Sequence, residues 1–328
     1  MTRTVVVYVV ALVVLVTALW VFGQFFSAST ANEAEVRFVI EPNQSVFDIG
    51  KKLAQQEIIS SPSLFVFYSL MSGNFSRFQP GAYSIPPLLD IRDIISRLVQ
   101  GPAEVEVVIV PGMTLAEIDR LLTEEGVLDD GTLADVEPSA LARRFAFLGT
   151  ASTLEGFLMP DTYRFYPSST PQAVAETMLE NFARKTEKLL GNRSDVTKIV
   201  TVASMIEKEV VFDQDKSLVA GIIYNRLAIN MPLQIDAAVV YGTCGGAFLN
   251  CPPLTRGDFA ADTPYNTYLY KGLPPTPISN PSVGSIEAAA HPRTTSYFYY
   301  LSDRATKKTY FSTTLEEHNE KRARYLGL

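Results

Sequence analysis

The sequence predicts an α+β protein with an N-terminal transmembrane helix, a small module of alternating strands and helices, and a larger C-terminal domain. Three observations predict this: a long uncharged N-terminal stretch, a repeated strand–helix pattern, and a C-terminal half that mixes amphipathic helices with short strand-like runs. The chain has 328 residues, of which 47% are hydrophobic and 19% charged. That composition is typical of globular domains with sizeable cores, and the length allows two or more of them.

The first 26 residues contain the membrane signal. Residues 5–22 carry no charge, and GQFF extends the stretch to residue 26, which is long enough to span a hydrocarbon core of about 30 Å. Arg3 precedes the stretch, whereas SASTANEAE after it has neither Lys nor Arg. The positive-inside bias therefore places residues 1–4 in the cytoplasm and the rest outside. A cleaved signal peptide is the alternative, but the length of the apolar run favours an uncleaved single-pass anchor over 5–26.

A weak internal repeat follows the predicted anchor. FVIEPNQSVFDIGKKLAQQEII (38–59) aligns with VVIVPGMTLAEIDRLLTEEGVL (107–128) at a constant offset, with several identical or similar positions. Each copy predicts a short strand, a Pro-led turn and an amphipathic helix, capped by Ser45 or Thr114. A generic β–α building block is the alternative interpretation. We predict a module over 36–150.

Between the two copies, GAYSIPPLLDIRDIISRLVQG predicts a further strand and helix. Asp90 is placed to cap the start of that helix and Gly101 to end it.

A second domain is predicted over 151–328. It contains a periodic helix at 171–190 and the helix SDVTKIVTVASMIEKEVV, with Ser194 as the expected N-cap. The final third is rich in Gly, Pro, Tyr and Asn, which predicts loops and the short strands SYFYYLSD and TYFSTT. A polar helix, LEEHNEKRARYL, ends the chain.

Charge and cysteine content exclude several classes of protein. A net charge of −7 gives no basic face for nucleic acid. Cys244 and Cys251 are the two cysteines, and a disulfide is favoured over free thiols because the chain is expected to be exported. They and the distant His291 and His318 do not have the spacing of a zinc site. We expect neither a metal nor a cofactor.

Two carboxylates stand in the apolar helix of the second domain. Glu207 and Glu209 are two residues apart, so they point about 200° away from each other and cannot both serve one cleft. A carboxyl group in apolar surroundings has a raised pKa, which suits a general acid near neutral pH. The alternative is a buried ion pair with Lys208, Arg226 or another cation, and the pattern alone does not decide between the two interpretations.

Longer blocks carry a resemblance to a known family. ASMIEKE, IIYNRL, MPLQIDAAVVYG, TPYNTYLYKGLPPTPISNPS, AAAHP and the upstream EGFLMPDTYRF closely resemble the MltG/YceG-like endolytic murein (peptidoglycan) transglycosylases. The resemblance covers essentially the whole exported chain. It implies a YceG-like catalytic domain over 151–328, a LysM-like α/β module over 36–150, and lytic cleavage of MurNAc-β-1,4-GlcNAc bonds. It also implies that Glu209 is the catalytic residue and that Glu207 is structural.

Other residues of these blocks are candidates for substrate binding, because tyrosine rings stack on sugars and amides bind hydroxyls. Each of them is equally compatible with a role in maintaining the fold. They are Gln234, Asp236, Tyr241, Tyr265, Asn266 and Tyr268.

Three other functions remain open at this point. A hydrolase would use Asp236 or Asp161 as a base; a wall-binding scaffold or a protein–protein adaptor would need no acid at Glu209. The resemblance further implies an enzyme held at the bacterial inner membrane, with its catalytic domain outside. It would act on nascent glycan strands, and peptidoglycan synthases would be its partners.

Overall fold

The computed structural model describes residues 35–128, 133–191, 193–303, 306 and 308–327, together with residues 5, 8, 9 and 11–17 near the N-terminus. The predicted cytoplasmic residues 1–4, and 6–7, 10 and 18–26 of the predicted anchor, lie outside that set. Among the helices of the described residues, none is long and apolar enough to cross a membrane.

The chain divides into two compact units. The first extends to Val105 and includes residues 166–168; the second comprises 106–165 and 169–328. The second copy of the repeat, 107–128, therefore belongs to the second unit, and residue 150, where the sequence places the domain boundary, lies inside that unit.

The first unit is a small α/β structure built around one antiparallel pair of strands. β1 and β2 pair so that Val36 lies opposite Ile85 and Ile40 opposite Gly81. Its core includes Phe38, Leu53 and Phe65, which are fully buried. In chain order its elements are β1 (Val36–Ile40), α1 (Val46–Gln55), α2 (Pro62–Met71), β2 (Gly81–Ile85) and α3 (Ile91–Gln100).

The second unit is mostly helical. Short strands pair as β3 with β4 and, antiparallel, β5 with β6. Two 3-10 turns occupy Ala146–Leu148 and Asp258–Ala260. The elements are β3 (Val105–Ile109), α4 (Leu115–Glu124), α5 (Pro138–Leu141), β4 (Asp161–Phe165), α6 (Pro171–Leu190), α7 (Val196–Glu209), α8 (Asp213–Ala228), α9 (Asp236–Thr243), α10 (Val283–Ala290), β5 (Tyr299–Ser302), β6 (Thr309–Ser312) and α11 (Leu315–Leu326).

The hydrophobic helix α7 lies at the centre of the second unit. It packs against α8, α9 and α10, and every residue from Ile199 to Ile206 is buried. Removing this much apolar surface from water fixes the helix in place, so the position of its last turn is determined by the core. That last turn carries both Glu207 and Glu209.

Most of the predicted helix ends are confirmed. Ser45, Asp90 and Thr114 each accept a hydrogen bond from a backbone N–H in the first turn of their helices, and Gly101 ends α3. The prediction for α7 is wrong. Asp195, and not Ser194, is its N-cap, and it makes no side-chain cap because its carboxylate pairs with Arg193 at 2.9 Å.

Candidate active site

Glu209 is the last residue of α7, and its side chain is partly buried. The phenol of Tyr300 on β5 donates a hydrogen bond of 3.4 Å to its Oε2 atom, and the backbone N–H of Ala237 lies close enough to lower its pKa. Burial, and after it the negative charge of Asp236, raise the pKa of Glu209, while Tyr300 and the backbone of Ala237 lower it; the net result is a pKa of about 7. A carboxyl group with such a pKa can both give and accept a proton near neutral pH.

Asp236 lies at the start of α9, beside Glu209. It is exposed, and its Oδ1 accepts a 2.6 Å hydrogen bond from the phenol of Tyr268. Burial and this contact with Asp236 raise the pKa of Tyr268, so the phenol remains a donor. Gln234, two residues earlier, is also exposed and has a left-handed backbone with φ of 51°. Such strained conformations are held in place by their surroundings and are common at functional sites.

Thr267 supplies the support for this turn. Its hydroxyl accepts a hydrogen bond from Ile235 N at 2.8 Å, and its carbonyl accepts one from Gln234 N at 3.1 Å. Thr267 is itself buried. The position of Asp236 relative to Glu209 is therefore fixed from a segment about thirty residues away.

Arg226 ties two walls of the site together. It is buried, its Nε donates to Phe298 O and its Nη1 donates to Leu233 O, both at 2.6 Å. One bond holds the segment leading to Tyr300 on β5, and the other holds the segment leading to Asp236. From the sequence, Arg226 is expected only as a candidate ion-pair partner for the glutamates. In the structure, its hydrogen bonds go to main-chain carbonyls.

Glu207 has a different set of contacts. Its Oε2 accepts hydrogen bonds from the backbone and hydroxyl of Ser282 at 2.9 and 2.6 Å and from the Ser285 hydroxyl at 2.6 Å. Lys216 lies 3.7 Å from the same atom. Ser282 is the N-cap of α10, so Glu207 fastens the end of α7 to the start of α10. The two glutamates face different partners, as their spacing predicts.

Three of the candidate binding residues, Tyr241 in α9 and Tyr265 and Asn266 in the loop after it, have polar atoms bound to other parts of the protein. Tyr241 donates its phenol to Glu155 at 3.1 Å, and its ring packs 4.9 Å from that of Tyr265, whose phenol bonds Thr276 at 2.8 Å. Asn266 is fully buried, and its amide nitrogen donates to two main-chain carbonyls, Phe259 O and Ala261 O. Of the six candidates, Gln234 and Asp236 are exposed, the three tyrosines are partly buried, and Asn266 is buried; Tyr268 contacts Asp236 beside Glu209.

Glu155 is a buried carboxyl group that the sequence does not single out as a site residue. Leu115 N, the Tyr241 phenol and the Asn280 amide all donate to it at 3.0 to 3.1 Å. Burial raises its pKa to about 8 despite these donors. It joins the start of α4, the end of α9 and the 280 loop, which is a positioning role. The only sequence feature that could have pointed to Glu155 is its place in the block EGFLMPDTYRF.

Asp161 is not brought to this site. It lies on β4, where Lys185 and Asn181 each contact its Oδ2 at 2.8 Å and lower its pKa to about 2. Among the described residues, no group of three or more His, Cys, Asp or Glu side chains is arranged to hold a metal ion. Cys244 and Cys251 form the expected disulfide.

Comparison with known proteins identifies the family of the chain. The model of the YceG-like family matches residues 38–324. The chain belongs to the YceG-like family. This YceG-like chain is 30% identical, over 316 residues, to the endolytic murein transglycosylase of Bacillus subtilis (strain 168), a match that covers 90% of the chain and 86% of that relative.

Two further YceG-like comparisons extend the result. The endolytic murein transglycosylase of Streptococcus pneumoniae serotype 2 (strain D39 / NCTC 7466) is 26% identical over 319 residues, and the match covers 88% of this chain but 58% of that longer relative. The crystal structure of a yceG-like protein from Listeria monocytogenes has a TM-score of 0.57 and 29% identity, covering 88% of this chain and 100% of that one.

Proposed function

We propose that this YceG-like protein is an endolytic murein transglycosylase in which Glu209 is the catalytic acid and base. The observation that carries the proposal is the environment of Glu209: a partly buried carboxyl group with a pKa of about 7, fixed by the core helix α7 and faced by Asp236 and Tyr300. The relatives named endolytic murein transglycosylase support the choice of reaction.

In the proposed reaction the substrate supplies its own nucleophile. Glu209 gives its proton to the glycosidic oxygen as the bond from that oxygen to C1 of MurNAc breaks. The C6 hydroxyl of the same MurNAc then bonds to C1, and its proton passes to Glu209. The product carries a 1,6-anhydro-MurNAc end, no water is consumed, and the carboxyl group is ready for another cycle. Intramolecular attack carries a large entropic advantage, so one carboxyl group suffices where hydrolases use two.

The neighbouring residues take distinct roles in this proposal. Asp236 faces the positive charge that develops on the sugar ring, and Tyr268 holds its carboxylate in position. Gln234 is offered to the sugar hydroxyls from the exposed turn. Tyr241, Tyr265 and Asn266 support that turn from beneath, because their polar atoms are engaged with the protein.

A hydrolase is the second candidate, and one observation favours it. Asp236 is a second carboxylate close enough to influence the pKa of Glu209, and it is exposed, so it could act on a water molecule. The two reactions differ in their products, since a hydrolase leaves a reducing MurNAc end.

The proposal includes the rest of the chain. The first unit is assigned as a LysM-like wall-binding module, supported by its own core and its compact order β1–α1–α2–β2. The uncharged stretch 5–26 is assigned as a membrane anchor, on the sequence alone. Anchoring would restrict cleavage to nascent strands near the inner membrane, where it would terminate their elongation, and peptidoglycan synthases would be neighbours.

Mass spectrometry of glycan products from the purified full chain tests the reaction. Wild type should produce anhydro ends, and Glu209→Gln should not. Glu287→Gln, an exposed position on α10, is the matched control and should behave as wild type. Reducing ends would favour the hydrolase and a role for Asp236 as base, and intact strands after wild-type treatment would refute both reactions.

A further inference from the structure

A groove of about 430 Å³ lies on the second unit beside the last turn of α7. One side is formed by the 110–113 turn and α4, and the other by the loop that the disulfide closes. Apolar side chains line most of it, and three of its residues are charged: the cations Lys208 and Arg120, and Glu117, whose carboxylate accepts backbone N–H groups. The lining residues used here are Val110, Met113, Phe248 and Leu249, with Lys208 and Arg120.

Main-chain bonds make both sides of the groove rigid. Gly112 N donates to Asn280 O at 2.9 Å and Asn280 N donates to Met113 O at 2.8 Å, which fastens the 110–113 turn. On the opposite side, the backbone N–H groups of Phe248 and Leu249 both donate to Glu117 Oε1 at 2.7 Å. The disulfide between Cys244 and Cys251 limits this loop further. The groove is therefore preformed, which lowers the entropic cost of binding.

Lys208 lines the groove, and its ammonium group has N–H donors that are not used by the described residues. Its ammonium lies 3.5 Å from the centre of the Phe248 ring and donates a hydrogen bond of 3.2 Å to Gly112 O. Within the described part of the chain it forms no ion pair. An ammonium has three N–H donors, so further acceptors can be bound. The nearby Glu117 carboxylate is already occupied by the N–H groups of Thr114, Phe248 and Leu249.

Arg120 adds a second cation on α4. Its side chain is 40% exposed, and its guanidinium lies 3.9 Å from Glu124, which is too long for a hydrogen bond. The chain as a whole has a net charge of −7, so two cations on an apolar groove depart from its general surface. A ligand that matches them has carboxylates and aliphatic groups together.

We propose that this groove is a subsite for the peptide stem of a peptide-substituted murein strand, with Lys208 and Arg120 binding its carboxylates. The inference rests on the proposed function, because only a murein substrate brings such a peptide. Uncharged sugar rings would not require two cations, whereas an amino-acid stem supplies both anionic and apolar groups. Lys208 directly precedes Glu209, and adjacent residues of a helix point about 100° apart. One strand can therefore place its glycan at Glu209 and its peptide in the groove.

The test compares two substrates: murein strands with their peptides, and the same strands after an amidase has removed them. For each we measure kcat/KM with the full-length wild type, Lys208→Met, Arg120→Gln and, as the matched control, Lys188→Met at an exposed position on α6. Loss of a hydrogen bond to a charged group weakens binding by about tenfold or more. Lys208→Met should therefore reduce the preference for peptide-bearing strands by about tenfold or more, and Arg120→Gln should reduce it less.

Every outcome of these measurements either supports or overturns the peptide subsite. A preference unchanged by both groove variants, or an equal loss on both substrates, overturns the inference and leaves the proposed reaction standing. If wild type cleaves neither substrate, the proposed reaction fails and calorimetric titration with an isolated murein stem peptide still tests the groove. Binding that weakens in Lys208→Met but not in Lys188→Met supports the subsite, and absence of binding to wild type overturns it.

Discussion

Glu209 should lower the stability of the folded protein above neutral pH. Its pKa rises from 4.5 to about 7 on folding, because burial and the charge of Asp236 disfavour the carboxylate. Below pH 4.5 the group is protonated in both states and costs nothing. Between the two pKa values the unfolded chain releases the proton while the folded chain retains it, and stability falls as pH rises. Above pH 7 the cost is constant, on the order of 3 kcal/mol.

Glu209→Gln should remove that cost, since glutamine keeps the shape and is neutral at every pH. The variant should match wild type near pH 4.5 and exceed it by about 3 kcal/mol at pH 8. Urea unfolding of the full chain between these pH values measures the difference, and Glu287→Gln at an exposed position is the control. A difference that does not change with pH would refute the assignment of a raised pKa to Glu209.

Three further predictions concern the same region. With a pKa of about 7, Glu209 is about 90% protonated at pH 6 and about 10% protonated at pH 8. Since the protonated form is the acid, kcat/KM should fall across that range. Asp236→Asn should move this fall to lower pH, because it removes a negative charge that raises the pKa of Glu209. Tyr300→Phe should move it to higher pH, because a donor to the carboxylate is lost, and a shift in the opposite direction would contradict the geometry. Replacing Cys244 and Cys251 by serine should lower the free energy of unfolding by about 2.5 kcal/mol, from the chain entropy of the short loop, as measured by urea unfolding with unchanged cooperativity.

The elements that the sequence predicts correctly are those determined by local chemistry. Helix α6 begins after Thr170 and α11 after Thr314, each capped as short-range rules require, and both match the predicted segments. At α7 the N-cap is Asp195 instead of Ser194, and its carboxylate is paired with Arg193, so the helix begins without the side-chain cap that short-range rules expect. The extent of the first unit, in contrast, is not determined by local chemistry. The repeat has two copies of similar pattern, and nothing within either copy specifies that they pack into separate units.

The site could be predicted only in part. The apolar helix predicts a raised pKa for Glu209, and the environment of Glu209 in the structure also raises its pKa. The charge of Asp236 and the bond from Tyr300 come from segments far along the chain, so no local pattern encodes them. Asn266 is a case in which the sequence suggests a binding role that the structure does not support. A polar residue in a loop resembles a ligand-binding residue in the sequence, but its amide bonds carbonyls seven and five residues before it.

The last turn of α7 explains how three consecutive charged residues can end a buried helix. Glu207 is bound by the serines that begin α10, Lys208 turns to the groove beside Phe248, and Glu209 faces the start of α9. The first carboxylate has several donors and remains a structural contact, whereas Glu209 has a long bond from Tyr300 and a negative neighbour. If Glu209 is the catalytic residue, as proposed, the number and charge of its partners distinguish it from Glu207, since both stand in the same turn of the same apolar helix.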